Sequence, residues 1–222
     1  MAPFRDREHA GRVLAGRLRE HDLRSPVVLG LPRGGIPVAA EVATALGVPL
    51  EVYVARKIGA PGHEELGIGA IAEGLDEPVL SAESRYLGLR PSDLDALASR
   101  VRAEVARRVD RYRPGRPFPD LADRDVVVVD DGLATGVTAE AALLALRKRR
   151  PGWLVLAAPV CAHDTADRLA EMADDLVCVE WPLDFIAVGQ WYEDFHQVTD
   201  DEVMRVLEQH ASMAVPPPTP SS

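Results

Sequence analysis

At 222 residues, with 47 % hydrophobic residues, the chain is long enough to bury the core of one ordinary domain. Its net charge of −10 argues against a nucleic-acid-binding surface, although a local basic pocket for phosphates is compatible with it. No apolar run reaches the roughly 18 residues of a membrane span, and the charged start MAPFRDREHAGR lacks the apolar core of a signal peptide, so a cytoplasmic protein with no membrane or nucleic-acid partner is expected.

In chain order, a helix is predicted over residues 6–21 and a strand over 27–31, which runs through Pro-Arg-Gly-Gly into a helix over 37–46. A strand over 50–55 leads into a Gly/Pro-rich loop to about residue 66, followed by a strand over 68–72 and a short strand around 78–80. Residues 92–112 predict a long helix: Leu94, Leu97, Val101, Val105, Val109 and Tyr112 recur three or four apart, with Ser92 and Asp95 as a capping pair. The arginines along this helix suggest no role at this stage.

The continuous apolar run 126–129 suits a central parallel strand buried on both faces. A helix over 138–149 follows, its basic end 147–150 complementing the helix dipole. A strand over 153–159, a helix over 165–172 and a strand over 176–180 come next, and Thr199-Asp-Asp-Glu202 opens a last helix as a capping box. Strands alternating with helices predict an α/β fold with a mostly parallel central sheet flanked by helices. The organisation expected is one domain over 1–210, with a small hood at about 181–197, and a disordered Pro/Ser-rich tail over 211–222. Cys161 and Cys178 read as small buried hydrophobes and not as a disulfide framework; sharing a metal with His163 is a remote alternative, because the spacing is not a zinc pattern.

The chemistry concentrates at 126–138, VVVVDDGLATGVT. Asp130 and Asp131 end a buried strand, and a small turn then leads into a helix. Unpaired amides at a helix N-terminus suit a phosphate. Gly132 and Gly136 allow close approach, and Thr135 and Thr138 add hydroxyl donors. The two carboxylates cannot also bind phosphate; they are placed to accept bonds from sugar hydroxyls or to help hold a divalent cation. No Gly-Lys-Ser/Thr follows, so this is not a Walker A loop, and the spaced glycines of a dinucleotide fingerprint are missing.

An apolar strand, an acid pair, Thr-Gly and a second Thr in this register resemble the donor loop of type I phosphoribosyltransferases. The resemblance implies that Asp130 and Asp131 bind the ribose hydroxyls and, partly through water, Mg²⁺, and that Leu133, Ala134, Thr135, Gly136, Val137 and Thr138 hold the 5′-phosphate beside Gly132. Ala134 departs from the family, which often has Ser or Thr there. By the same resemblance, Arg33, Gly34 and Gly35 would form the pyrophosphate loop, with a non-proline cis peptide and strain at or beside Pro32–Arg33. Arg56 and Lys57 would begin a mobile loop, with Asp131, Arg33 and Lys57 as the residues closest to catalysis. His63, Glu64 and Glu65 are equally compatible with proton transfer and with an ordinary solvated loop. The aromatic segment 181–195 would supply the hood, with Trp181, Phe185, Trp191 and Tyr192 as acceptor-stacking candidates beside Phe195; a satellite hydrophobic cluster, at a dimer contact for instance, fits each ring equally well. The implied activity transfers a phosphoribosyl group from phosphoribosyl pyrophosphate to a small-molecule acceptor, a nitrogenous base by expectation, in a possible homodimer. The alternative is a non-catalytic sensor of the same donor.

Overall fold

The computed structural model describes residues 3–81, 84, 87, 88 and 90–211, without the side chains of 64–66. The expected tail beyond residue 211 and the side chains of Glu64 and Glu65 lie outside the described residues. The centre is a five-stranded sheet of β1 (Val27–Gly30), β2 (Leu50–Val52), β6 (Asp125–Val129), β7 (Trp153–Val160) and β8 (Asp175–Glu180). Its order is β2-β1-β6-β7-β8, and every neighbouring pair in it is parallel. Residues of β6 are all buried and point alternately to two cores. Val127 and Val129 pack toward helices α1 (Arg7–Leu18), α2 (Gly35–Leu46), α3 (Pro91–Tyr112) and α6 (Asp200–His210). Val126 and Val128 pack toward α4 (Val137–Arg147) and α5 (His163–Ala170). A strand covered on both faces needs no polar alternation, which is why VVVV is tolerated. No helix among the described residues is long and apolar enough to cross a membrane.

The segment expected to be a Gly/Pro-rich loop is instead a hairpin. Strands β3 (Ala55–Ala60) and β4 (His63–Ala72) pair antiparallel, and β5 (Val79–Leu80) extends them into a second, three-stranded sheet. Ala55, Ile58 and Ala60 on β3 and Ile68, Ala70 and Ala72 on β4 are buried. Glycines at 59, 67 and 69 weaken any strand signal, but cross-strand pairing and burial outweigh them here. The expected strand over 50–55 is accordingly split between two sheets.

Helix α3 packs through the predicted stripe, with Val105 and Tyr112 buried and Leu94, Leu97, Val101 and Val109 against the same core. It starts one residue earlier than the Ser92–Asp95 pair implied. Pro91 takes the first helical position, which suits its fixed φ and missing N–H, and Arg90 forks onto Asp93 at 2.9 and 3.0 Å. The capping box of α6 is present, Thr199 and Glu202 bonding reciprocally. The two cysteines do not stand as separate hydrophobes: Cys161 and Cys178 form a disulfide, their Cα atoms 6.4 Å apart. They lie on neighbouring parallel strands or just past their ends, a proximity that spacing along the chain does not reveal.

Candidate functional site

Two turns meet at the carboxyl edge of the sheet, where β1 and β6 lie side by side. After β6, Asp130 and Asp131 lead into 132–136, and Gly136 enters α4 with φ +66°, a left-handed conformation that favours glycine. A Cβ at Gly136 would also meet Thr165 Cγ2 at 2.6 Å and Leu169 Cδ1 at 2.7 Å. Helix α5 ties back the carbonyls of the turn. The Thr165 hydroxyl donates to Ala134 O at 2.5 Å, and Arg168 Nη2 donates to Thr135 O at 2.6 Å. With those oxygens occupied behind the turn, the amides of the first turn of α4, which have no intrahelical partner, remain as the polar face of this segment. Leu133 has a different part from the one the resemblance implied for it. Its amide donates to Val160 O at 2.8 Å and its carbonyl accepts from Ala162, so it anchors the turn to the end of β7 and has no N–H to offer a phosphate.

After β1, the peptide between Pro32 and Arg33 is cis, at the place expected for a non-proline cis bond. Gly34 packs against Asp131 so closely that a Cβ there would collide with its carboxyl group, and a Cβ on Gly35 would lie 2.6 Å from Val129 O. The two turns therefore touch, the Gly34 backbone against the Asp131 carboxyl and the Gly35 backbone against that of Val129 and Asp130, with no room for a Cβ at either glycine. Arg33 leaves this turn toward α6, its Nη1 3.8 Å from Asp200 Oδ1.

The acid pair is half-buried. Asp130 is held well above the ordinary carboxylate range, first by burial and then by the neighbouring Asp131. Asp131 is also raised by burial, but Arg7 opposes this. Arg7 Nε lies 2.8 Å from Asp131 Oδ2, while Nη1 donates to His196 O at 2.8 Å. The guanidinium stacks on Phe195, 3.9 Å from the ring centroid. Arg7 went unnoticed in the sequence, where it is one of several charged residues near the start; only the Asp6 cap of α1, which accepts from His9 N at 2.6 Å, hints that a helix begins there.

The aromatic hood divides in two. Tyr192 is 5 % exposed, its ring packed between Phe4 and Phe195 at centroid distances of 5.5 and 5.0 Å. Its hydroxyl donates to Asp131 O at 2.5 Å. Tyr192 thus supports the acid pair and, with both ring faces covered, offers none to an incoming base, contrary to the expectation that it stacks on the acceptor. Trp181 is exposed and bonds only Cys178 O through its indole N–H. Phe185 and Trp191 are half-buried, and no partner among the described residues takes the buried Trp191 indole N–H. Residues 3–5 pair with the hood, Phe4 N bonding Trp191 O and Glu193 N bonding Phe4 O, so the chain's start and the segment 181–197 form one unit. Val188, in the short 3-10 helix Val188–Trp191, comes down on Gly132.

Arg56 and Lys57 sit on β3, not in a loop. Together with Leu97, Arg100 and Val101 of α3 they line a cavity of about 730 Å³. His63 is exposed beside the hairpin turn, unlike the half-buried acid pair. Among the described residues no group of three or more His, Cys, Asp or Glu side chains forms a metal cage, so Cys161, His163 and Cys178 do not constitute one.

An acid pair, a helix start and a second glycine turn at the carboxyl edge of a parallel sheet define a class of α/β protein whose ligands bind at that edge. The comparisons agree with that class. The phosphoribosyl transferase domain matches residues 5–194, and the chain belongs to that family. Two proteins of Mycobacterium tuberculosis, from strains CDC 1551 and H37Rv, each named "Putative phosphoribosyl transferase", are 44 % identical over 209 residues, covering 94 % of this chain. The match takes in 47 % of each of them, so the chain spans about half the length of these curated relatives. The crystal structure of TT1426 from Thermus thermophilus is 46 % identical and superposes with a TM-score of 0.78, covering 93 % of this chain and 98 % of that one.

Proposed function

We propose that the protein transfers the phosphoribosyl group of phosphoribosyl pyrophosphate to a nitrogenous acceptor, releasing pyrophosphate. The observation that supports this reading is the direct contact between the two turns, Gly34 against Asp131, which would set a sugar-binding acid pair between a phosphate site and an arginine-bearing pyrophosphate turn.

Asp130 and Asp131 would accept the two ribose hydroxyls. In the free protein burial pushes both acids toward their protonated forms, Asp130 further than Asp131, whose shift Arg7 opposes. Hydroxyl donors would favour the fully ionised pair, which in turn favours positive charge developing on the ribose. The amides at the start of α4, with Thr135 and Thr138, would hold the 5′-phosphate and fix C1. The bond from C1 to the pyrophosphate oxygen breaks as the bond to the acceptor nitrogen forms. Arg33, with Arg56 or Lys57, would take up the charge on the departing pyrophosphate.

The chain offers Mg²⁺ two carboxylates and no closed cage among the described residues, and one oxygen of Asp131 is already paired with Arg7. That set fits an ion completed by donor oxygens and water, held by Asp130 and the remaining Asp131 oxygen. When bound there, the ion would neutralise charge on the donor's oxygens.

The test is pyrophosphate release from the donor with Mg²⁺ and a panel of purine and pyrimidine bases. Release with at least one base is expected. Tight donor binding without release for any acceptor would overturn the transferase reading in favour of a non-catalytic sensor of the same donor.

A further inference from the structure

Helix α3 belongs to neither turn, yet its C-terminal half approaches them. Glu104 Oε1 accepts from Arg56 Nη1 at 3.0 Å, from Arg108 Nε at 2.9 Å and from Arg107 Nη2 at 2.8 Å. One carboxylate oxygen is therefore shared by three guanidinium groups, two from α3 and one from the hairpin. Further along the helix, Asp200 accepts from the Tyr112 hydroxyl at 2.6 Å and from Arg111 at 3.0 Å, and is the residue toward which Arg33 points. The arginines feel one another: the Arg56 guanidinium binds its proton less tightly because of burial and then because of Arg108, with Arg33 adding to the effect. Glu104 is held down to about 2, chiefly by Arg107 and Arg108, so it stays ionised throughout the neutral range.

Arg33 from the β1–α2 turn, Arg56 from β3 and Arg108 from α3 thus converge from three elements, with two carboxylates between them. Arg107, on the outer side, is half-exposed and forks onto Glu104 as an ordinary helix pair, whereas the Arg108 side chain is only 11 % exposed. Burying a cation beside other cations is unfavourable unless anions lie among them, as Glu104 and Asp200 do here, and guanidinium forks also match phosphate oxygens.

We propose that Arg108, together with Arg33 and Arg56, binds the pyrophosphate moiety, and that Glu104 is an internal anion which holds the arginines together and yields them when pyrophosphate arrives. This rests on the donor reading above. It gives the arginine-rich helix a part in the site: α3 brings a cation to the pyrophosphate end and a carboxylate that competes with the ligand.

Titration calorimetry of the full chain with inorganic pyrophosphate, phosphoribosyl pyrophosphate and ribose 5-phosphate, each with Mg²⁺, tests this in four proteins. Arg108→Gln is expected to weaken pyrophosphate and the donor by roughly tenfold or more, the loss of one charge-assisted contact, and to leave ribose 5-phosphate at its wild-type affinity. Glu104→Gln is expected to bind pyrophosphate about threefold or more tightly, because the competing anion is gone. Arg107→Gln is expected to behave as wild type. The opposite signs for Arg108→Gln and Glu104→Gln separate a ligand site from a structural brace. Parallel losses in both variants, or a loss of ribose 5-phosphate binding with Arg108→Gln, would overturn the proposal. So would an Arg108→Gln protein that binds pyrophosphate as wild type does. Wild-type protein that binds pyrophosphate but neither the donor nor ribose 5-phosphate would overturn the donor reading and leave the arginine cluster standing.

Discussion

The two turns at the sheet edge and the charged clusters beside them are made by different means. The turns are backbone devices: Gly34 and Gly35 press on Asp131 and Val129, and Gly136 turns the chain into α4. Each is specified by a few consecutive residues. The clusters are side-chain devices that join distant segments. Arg7 reaches Asp131 across 124 positions, and Arg56 reaches Glu104 across 48. On the function proposed above, the turns would fix where a ligand's atoms go, and the clusters would fix the charge those atoms meet.

The largest effect should come from within the turn. Asp130→Asn with Asp131→Asn is expected to weaken donor binding by roughly 10²–10⁴-fold, the loss of two charge-assisted hydrogen-bond acceptors, as read by calorimetry. Donor binding that persists in that protein would show that the acid pair is not the sugar site. Next is Arg7→Met, which leaves the half-buried Asp131 carboxylate without this partner and should destabilise the fold by up to about 3 kcal/mol in urea unfolding at neutral pH. The penalty should shrink toward low pH, because a protonated Asp131 needs no partner. An equal penalty at both pH values would sever the link between cluster and turn.

Asp130→Asn alone sharpens the comparison from the other side. The folded pKa of Asp130 lies above its ordinary value of 3.8, so the wild-type protein loses stability as pH rises from there through the folded value. An amide at this position does not titrate and removes that loss, so the variant's melting temperature should exceed that of wild type increasingly over this window. A constant difference across pH would show that burial does not strain the pair. Among the smaller effects, reducing the Cys161–Cys178 disulfide, whose cysteines are 17 residues apart, should cost up to about 3 kcal/mol. Thermal unfolding with and without reductant reads this, and an unchanged transition would show that β7 and β8 need no crosslink behind the turn. Thr199→Ala, which removes the α6 cap, should cost about 1 kcal/mol by the same measurement.

The strand, turn and helix around residues 126–138 were legible because their parts are adjacent: a buried apolar strand, two acids, two glycines and two threonines follow one another. The second turn was legible by its place after β1. The hairpin was not, because its strands carry glycines at 59, 67 and 69 and read as a breaker-rich loop until paired. Tyr192 looked like an acceptor-facing ring because composition marks aromatics and not which of their faces are covered; Phe4, 188 positions earlier in the chain, covers one of them.

By itself, then, the sequence determined the alternation of strands and helices, the doubly buried strand β6 and the glycine-bearing turn that follows it. Periodicity and short-range motifs carry such information because backbone conformation is decided by neighbours along the chain. Only the tertiary structure decided that Arg7 neutralises Asp131, that Cys161 pairs with Cys178, and that Arg33, Arg56 and Arg108 meet around Glu104 and Asp200. Ion pairs and crosslinks between remote segments leave no period to read, since the positions they join become neighbours only when the sheet brings its helices and hairpin together.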